Sequence, residues 1–276
     1  MKLAAQRQLY KEAKRYFIIQ ISITVPATII LSFLKMIPSN YLGFDIVAVA
    51  AFFGASITIA DILIGHFLVS NYKGKAAKIQ EEFDCAVYEM NWDKISVGSN
   101  VPREVINDYG EKYKDIPGSP LMDWYPVEIA GMSKEKAIFV CQNTNLYYDK
   151  SLRNKYIRTT GRASLLILII IIITSLIGNP SFGDFMKQIL VPFLPIFILS
   201  LKIIIEHFKS AKAIGDLSTT VSGLSDSSDV PSMADLRLIQ TKIYASRKDS
   251  PLVPDFFYNK KRKRLEKNMH AHAKLE

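Results

Sequence analysis

The chain has 276 residues, of which 49% are hydrophobic and 22% are charged, and its formal net charge at pH 7 is +9. Because much of the excess positive charge lies beside apolar segments, it does not indicate a protein that binds nucleic-acid polymers. The two cysteines, Cys85 and Cys141, lack suitably spaced histidine partners, so we predict no metal site.

Four segments are apolar enough to span a bilayer, at residues 18–37, 46–69, 163–177 and 189–205. A spanning helix needs about 20 apolar residues, whereas a buried strand usually has about 4–8. Inside hydrocarbon an isolated segment must satisfy its backbone polar groups internally, so we predict four transmembrane helices. Four buried helices of a soluble protein are the disfavoured alternative, because helices that are apolar on every face are rare outside membranes.

The basic residues predict how these helices are oriented. Lys and Arg are frequent before the first helix, at both ends of residues 71–162 and after the fourth helix. The loop at residues 38–44 has none, and the loop at residues 178–188 has only Lys187. By the positive-inside rule, both termini and the middle segment lie in the cytoplasm. Both cysteines are then on the reducing side of the membrane, so we predict no disulfide.

The predicted architecture is an all-α integral membrane protein, with four transmembrane helices in two hairpins and a mainly helical cytoplasmic module. Residues 1–70 form a basic helix and the first hairpin, and residues 71–162 form a cytoplasmic helical insert. Residues 163–207 form the second hairpin, and residues 208–276 form a cytoplasmic C-terminal helical segment.

Local signals predict the helices outside the membrane. The second transmembrane helix continues past residue 70, because apolar residues recur every four positions over residues 79–87. Pro102 suits the first turn of a helix that runs to about Lys114, and Ser133 caps a helix that continues into the third transmembrane segment. Two further helices are expected at residues 231–246 and 256–273, separated by the extended stretch PLVPDFFY.

The sequence carries no recognisable catalytic motif. It has no Walker loop, no GxSxG and no HExxH, and its histidines are scattered along the chain. We therefore expect no catalytic residues, no cofactor and no enzyme activity.

Three ionisable residues lie within or beside the predicted transmembrane helices, namely Asp61, Lys202 and Glu206. A charge at such a depth is costly unless it is paired or faces water. One interpretation pairs Lys202 with Glu206 at the inner edge of the membrane. The other pairs Asp61 with Lys202 between two helices, or exposes these groups along a polar path when the helices rearrange. The second interpretation gives the three residues a role in gating.

The C-terminal segment NKKRKRLEKN contains an unbroken basic run from Lys260 to Arg264. A solvated face or a contact with anionic lipid is favoured over a nucleotide-phosphate site, because the chain ends near the inner leaflet in the predicted topology.

Three separated motifs give the chain a family resemblance. They are LAAQRQLYKEAKRY before the first transmembrane helix, DWYP followed by CQNTNLYYDKSLRNKY before the third, and IYASRKDSPLVPDFFYNKKRKRLEKNMH at the end. In this order, around two hairpins, they resemble the SMODS-associating four-transmembrane effector family over nearly the whole chain. The chain departs from the family pattern at Asn143, where Arg is expected, and at Tyr148, where Trp is expected.

The resemblance implies a membrane effector of a bacterial antiphage system, controlled by a cyclic oligonucleotide that a neighbouring synthase makes. Such an effector would lie in the bilayer of the inner membrane and would disrupt or permeabilise it. Since four helices enclose too little space for a wide pore, we also expect a homo-oligomer. A membrane-anchored scaffold without pore activity and a small transporter are the alternatives.

A cyclic oligonucleotide requires cationic donors for its phosphates and aromatic faces for its bases. The alternative for each arginine is a topological charge or a partner for a neighbouring carboxylate, and for each aromatic residue a place in the core. The candidate ligand-binding residues are Arg153, Arg158, Arg237, Arg247, Trp124, Tyr125, Tyr148, Phe257 and Tyr258.

Overall fold

A computed structural model describes residues 1–34, 46–114, 121, 124–125, 127–178, 181–225 and 231–273. Within these residues the regular structure is helical, without a β-strand, which confirms the predicted all-α class. The helices are α1 Lys2–Leu34, α2 Ile46–Leu63, α3 Ser70–Tyr88, α4 Lys94–Val97, α5 Arg103–Lys112, α6 Lys134–Gly178, α7 Phe182–Asp184, α8 Val191–Ser225, α9 Met233–Asp249 and α10 Asp255–Ala273. Two π-helical turns lie at Ile64–Val69 and Phe185–Leu190, and a 3-10 turn lies at Val127–Ile129.

Local capping determines where several helices begin. Pro102 immediately precedes α5, and the Ser133 hydroxyl accepts a hydrogen bond from the backbone N–H of Lys136 at the start of α6. Ser232 and Asp235 form a capping box at the start of α9, in which each side chain accepts a hydrogen bond from the backbone N–H of the other residue. All three helices therefore begin within two residues of the predicted positions.

The chain divides into two compact units. The first, called the helical module here, comprises residues 1–14, 71–156 and 206–276. The second, called the apolar unit, comprises residues 15–70 and 157–205. Each unit thus combines segments that are distant in the sequence, and α1, α6 and α8 contribute residues to both units.

The core of the helical module forms where α3, α6, α8 and α9 pack together. One side of α9 contributes Leu236, Ile239 and Ile243, whose spacing of three and four residues aligns them along the helix, and each is at most 5% exposed. Val140 of α6 and Ile214 of α8 pack into the same cluster. Burying each large aliphatic side chain contributes about 1.5–3 kcal/mol relative to exposure, so this core fixes how α9 is rotated.

The apolar unit exposes many of its large apolar side chains. Phe52, Ile59, Ile62, Leu166 and Ile198 are all more than half exposed. Among the described residues, the helical stretches Lys2–Leu31, Ala48–Tyr88 and Lys134–Ile173 each include an apolar run long enough to cross a membrane. These runs correspond to the first three predicted transmembrane segments, and outward-facing apolar side chains are what a lipid environment favours.

The predicted fourth transmembrane segment, residues 189–205, falls in the second π-helical turn and α8. Its helical conformation agrees with the sequence prediction, and its passage through a membrane stays a prediction. Pro195 lies inside α8, as Pro26 lies inside α1. A proline in a helix interior removes one backbone hydrogen bond and favours a bend at that point. The predicted loop at residues 38–44 lies outside the described residues.

Candidate functional site

Two acidic residues of α3 are completely buried in the helical module. Glu81 and Asp84 are three residues apart, so they lie on the same side of the helix, and both are 0% exposed. A buried carboxylate is costly unless nearby groups donate hydrogen bonds to it or carry the opposite charge. The pair therefore requires partners from other elements.

α9 supplies most of those partners. Gln240 Nε2 donates to Glu81 Oε2 at 2.7 Å and to Asp84 Oδ2 at 3.2 Å. Arg237 Nη1 lies 3.1 Å from Glu81 Oε1, and Arg247 forms an ion pair with Asp84. Both carboxylates are thus neutralised by arginines of one helix, and α9 is held against α3.

Two further elements complete this cluster. The Tyr125 hydroxyl donates to Asp84 Oδ1 at 2.6 Å. Gln142 of α6 donates from Nε2 to Gln240 Oε1 at 3.1 Å and to the Leu236 carbonyl at 2.9 Å. We call the set Glu81, Asp84, Tyr125, Gln142, Arg237, Gln240 and Arg247 the acidic network. It joins α3, α6, α9 and the segment that contains Tyr125.

Burial controls the electrostatics of the acidic network. Burial raises the pKa of Glu81, and the hydrogen bond from Gln240 and the charges of Arg247 and Arg237 act in the opposite direction. Burial also raises the pKa of the Cys85 thiol to about 12, as it does for Cys141. Both thiols therefore stay protonated at neutral pH, which is the state of an unreactive buried cysteine.

A second polar cluster ties α6 to α8 and to the segment after α9. Arg153 is 6% exposed, and its Nε lies 3.1 Å from the carboxylate of Asp149. Its Nη1 donates to the Pro251 carbonyl at 3.0 Å and lies 3.3 Å from His207 Nδ1. Because a guanidinium can only donate, Nδ1 of His207 accepts and the imidazole is neutral. All of these partners of Arg153 are internal groups of the helical module.

A cleft of about 850 Å³ opens on the helical module, and we call it the polar cleft. Its cations are Lys73, Lys209 and Lys242, and its carboxylates are Glu206, Asp216 and Asp249. Its hydroxyls come from Ser210, Thr220, Ser246 and Ser250, and the remaining lining residues are Ala213, Ile214, Leu217, Ala245 and Pro251. Most of the lining therefore comes from α8, from α9 and from the segment directly after α9.

The lining of the polar cleft carries three lysines and three carboxylates, so its formal charges balance and an anion would be held by individual lysines. Lys73 Nζ donates to the carbonyls of Ser250 at 3.1 Å and Asp249 at 3.4 Å, at the C-terminal end of α9, where the helix dipole favours a cation. Burial lowers the pKa of Lys73. Lys209 and Lys242 are exposed, and no ion pair is recorded for either within the described part of the chain. These two ammonium groups are available to a ligand.

The polar cleft and the acidic network occupy different sides of α9. At about 100° per residue, Arg237, Gln240 and Arg247 cluster on one side, whereas Lys242 and Ser246 lie about half a turn away. The helix therefore connects a buried cluster of fixed charges to an accessible surface.

The structure does not gather the sequence candidates into one site. Arg237, Arg247 and Tyr125 belong to the acidic network, and Trp124 lies near it, with Arg7 5.3 Å above its ring. Tyr148 and Tyr258 contact each other with ring centroids 6.5 Å apart. Phe257 packs against Tyr156, with ring centroids 5.0 Å apart. Arg153 belongs to the second polar cluster described above. Arg158 is exposed in the apolar unit.

Sequence analysis missed the lysines and hydroxyls of the polar cleft. Their only signal was a run of small and polar residues between residues 209 and 220, directly after the fourth predicted transmembrane segment. Nothing in the sequence places that run opposite α9.

Asp61 lies in the apolar unit, and its partners differ from those expected. Gln20 Nε2 donates to Asp61 Oδ1 at 2.9 Å, and Thr24 Oγ1 donates to the same oxygen at 3.1 Å. Among the described residues no ion pair joins Lys202, which is exposed, to Asp61 or to Glu206, so neither of the two pairings considered from the sequence is recorded, and the role of these residues in gating stays a prediction. Neutral donors from α1 satisfy the carboxylate instead.

Within the described residues, the regular structure is helical and includes three apolar helices of membrane-spanning length and a polar helical module. This is the architecture of a multi-pass helical membrane protein. The chain belongs to the SMODS-associating 4TM effector family, whose domain matches residues 1–275, as its three motifs predicted. It is similar to a probable CBASS effector molecule of Bacillus cereus, with 25% identity over 262 residues that cover 93% of this chain and 87% of that protein. No solved structure matches the chain.

Proposed function

We propose that the protein is a membrane effector of a bacterial antiphage system, controlled by a cyclic oligonucleotide, that acts by permeabilising the inner membrane. The observation that carries the proposal is the match to an effector family over residues 1–275, in a chain with apolar helices of membrane-spanning length. The similarity to a probable CBASS effector molecule supports the same role. In this proposal both termini and the helical module lie in the cytoplasm, in agreement with the distribution of basic residues.

The polar cleft is the proposed binding site of the messenger. Its volume of about 850 Å³ falls within the range of about 300–1,000 Å³ that small-molecule sites occupy. Lys209 and Lys242 provide charge-assisted donors for phosphate oxygens, and the serine and threonine hydroxyls provide polar contacts for sugars and base edges. The described lining has no aromatic side chain, so hydrogen bonds rather than stacking would hold the bases.

The arginines of the candidate set are less suited to this role. Arg237 and Arg247 already pair with buried carboxylates, and Arg153 already contacts Asp149, His207 and Pro251. Withdrawing a guanidinium from such a site leaves a buried acid without its countercharge. These residues therefore hold the module together, and the messenger binds where the cations are free.

α9 is the proposed coupling element. A ligand between α8 and α9 changes the position of α9, and the acidic network on its other side transfers that displacement to α3 and α6. α3 follows the second predicted transmembrane segment, and α6 continues into the third, so the chain itself carries the change onward. A rigid-body displacement of helices is a common form of such switching.

Calorimetry with the full-length, detergent-solubilised protein tests the binding step. One member of a panel of cyclic di- and trinucleotides should bind, and Lys242→Glu combined with Lys209→Glu should weaken its binding by at least about tenfold, because charge-assisted hydrogen bonds contribute about 1.5–3 kcal/mol each. Lys136→Glu combined with Lys94→Glu, at two exposed positions outside the cleft, is the matched control.

Two outcomes would overturn parts of this proposal. If no cyclic nucleotide gives a heat signal with protein shown to be folded, messenger control is wrong and a membrane scaffold becomes the better interpretation. If Arg153→Ala abolishes binding in folded protein while the cleft variants bind normally, the messenger site lies at Arg153 and not in the polar cleft.

A further inference from the structure

The C-terminal helix α10 has one side that is entirely exposed. The exposed residues recur every three or four positions over about 17 Å of helix, at 1.5 Å per residue. They are Phe256, Asn259, Lys260, Lys263, Arg264 and Lys267. We call this set the cationic face, since four of its members carry a positive charge and none carries a negative charge.

The acidic residues of α10 do not offset this charge. Within the described helix they are Asp255 and Glu266, and each already has a basic partner. Lys14 of α1 lies 2.5 Å from Asp255, and Arg262 lies 2.5 Å from Glu266. No ion pair is recorded for Lys260, Lys263, Arg264 or Lys267 within the described part of the chain.

Packing holds the cationic face outward. On the other side of α10, Phe257 is 3% exposed and Leu265 is 1% exposed, and Tyr258 contacts Tyr148 of α6. The basic run predicted from the sequence is therefore divided between two sides. Lys261 and Arg262 are half-buried, whereas Lys260, Lys263 and Arg264 are exposed.

We propose that the cationic face binds the headgroups of anionic phospholipids at a membrane surface. Lys and Arg on one side of a helix are attracted to anionic lipid, and each cation near the surface strengthens that attraction. Phe256, which is 72% exposed at the start of the face, supplies an apolar side chain that can enter the headgroup region. A single-stranded nucleic acid is the less suitable polyanion, because the face has one aromatic ring rather than a series of stacking surfaces.

This inference does not depend on the cyclic oligonucleotide. It assigns a role to a surface that lies outside the polar cleft and outside the acidic network. Within a membrane effector, such a contact makes the position of α10 sensitive to the lipid composition of the bilayer.

The test uses full-length protein in nanodiscs of phosphatidylcholine alone, or of phosphatidylcholine with phosphatidylglycerol. A fluorophore attached at Asn259→Cys reports on the cationic face, and the native thiols Cys85 and Cys141 are buried and react slowly. We expect quenching by acrylamide, a neutral aqueous quencher, to fall severalfold when phosphatidylglycerol is present. High salt should restore the quenching, because it screens contacts between exposed charges.

Charge variants separate a local contact from general electrostatic attraction. Changing Lys260, Lys263, Arg264 and Lys267 together to Gln should abolish the protection. The matched control changes Lys94, Lys114, Lys136 and Lys248 to Gln, which removes the same charge from exposed positions elsewhere, and it should keep the protection. Equal quenching in both lipids, or equal protection in the two variants, would overturn the proposal. Protection by a single-stranded oligonucleotide but not by phosphatidylglycerol would overturn it in favour of a nucleic-acid surface.

Discussion

Asp84 shows how much of the helical module depends on single residues. It is completely buried, yet it accepts hydrogen bonds from Tyr125 and Gln240 and forms an ion pair with Arg247. Replacing such a cluster by apolar residues can be neutral, but removing one partner leaves an uncompensated charge in a region of low dielectric. The compensation of charge within the acidic network is therefore more important for stability than any one of its contacts.

We expect Asp84→Asn to destabilise the helical module by about 3–5 kcal/mol, because it leaves the partly buried Arg247 without its countercharge. The measurement is the midpoint of chemical unfolding of the full-length protein in detergent, compared with Asp108→Asn at an exposed site of α5. A midpoint equal to that of the control would show that Arg247 is solvated and that the acidic network has little energetic weight.

At the scale of single residues, the sequence indicated which arginines are important but not which carboxylates they contact. It singled out Arg237 and Arg247 as candidate ligand-binding residues and gave pairing with a neighbouring carboxylate as the alternative, and the structure shows each of them paired with a carboxylate. The partners could not be inferred, since Gln240 is 159 positions from Glu81 and Arg247 is 163 positions from Asp84. Only the fold brings α3 and α9 together.

Among the elements, α9 contributes to the core, to the acidic network and to the polar cleft. One side packs Leu236, Ile239 and Ile243 into the core, and two other sides carry the acidic network and the lining of the polar cleft. Its start was predictable because capping is local: Ser232 and Asp235 are three residues apart. Its rotation was not predictable, because that depends on packing against α3, α6 and α8.

We expect Ser232→Ala to destabilise the module by about 1 kcal/mol, because it removes the side-chain acceptor of the α9 capping box. Ser99→Ala, at an exposed site outside any helix, serves as the comparison in the same unfolding measurement. Identical stabilities for the two variants would mean that core packing alone determines the first turn of α9.

At the scale of the whole molecule, the apolar unit contains a polar contact between two of its helices. Asp61 of α2 accepts hydrogen bonds from Gln20 and Thr24 of α1. Under the proposed function this contact stabilises the closed state, since a polar group in the membrane interior favours whichever arrangement satisfies it. The sequence singled out Asp61 as a charge that needs a partner, and one interpretation named Lys202, rather than neutral donors, as that partner.

We expect Asp61→Ala to raise the resting permeability of the membrane, because it removes two hydrogen bonds to a carboxylate. At about 1.5–3 kcal/mol for each such bond, the closed–open balance should shift at least about tenfold toward the open state. A potential-sensitive dye in cells that express each variant would report the shift as depolarisation without infection.

Two comparisons make this experiment specific. Lys202→Gln should behave like the parent protein, since no ion pair joins Lys202 to Asp61 among the described residues. Ile169→Val should also be silent, because Ile169 is 44% exposed on the outer surface of the apolar unit. If Lys202→Gln depolarises cells and Asp61→Ala does not, while both express normally, the closed state depends on Lys202 and not on the Asp61 contact.

The separation of the sides of α9 has a consequence for evolution. Substitutions at Lys242 and Ser246 alter the accessible wall of the polar cleft without changing the buried Gln240 or the partly buried Arg247. Under the proposed function, substitutions in the cleft change which messenger is preferred, while selection preserves the buried contacts of the scaffold. Among diverged relatives, the positions equivalent to Lys242 and Ser246 should vary far more in amino-acid type than the positions equivalent to Gln240 and Arg247. Under the proposed function, a lineage exposed to new phages could then change its messenger through substitutions at a few surface positions.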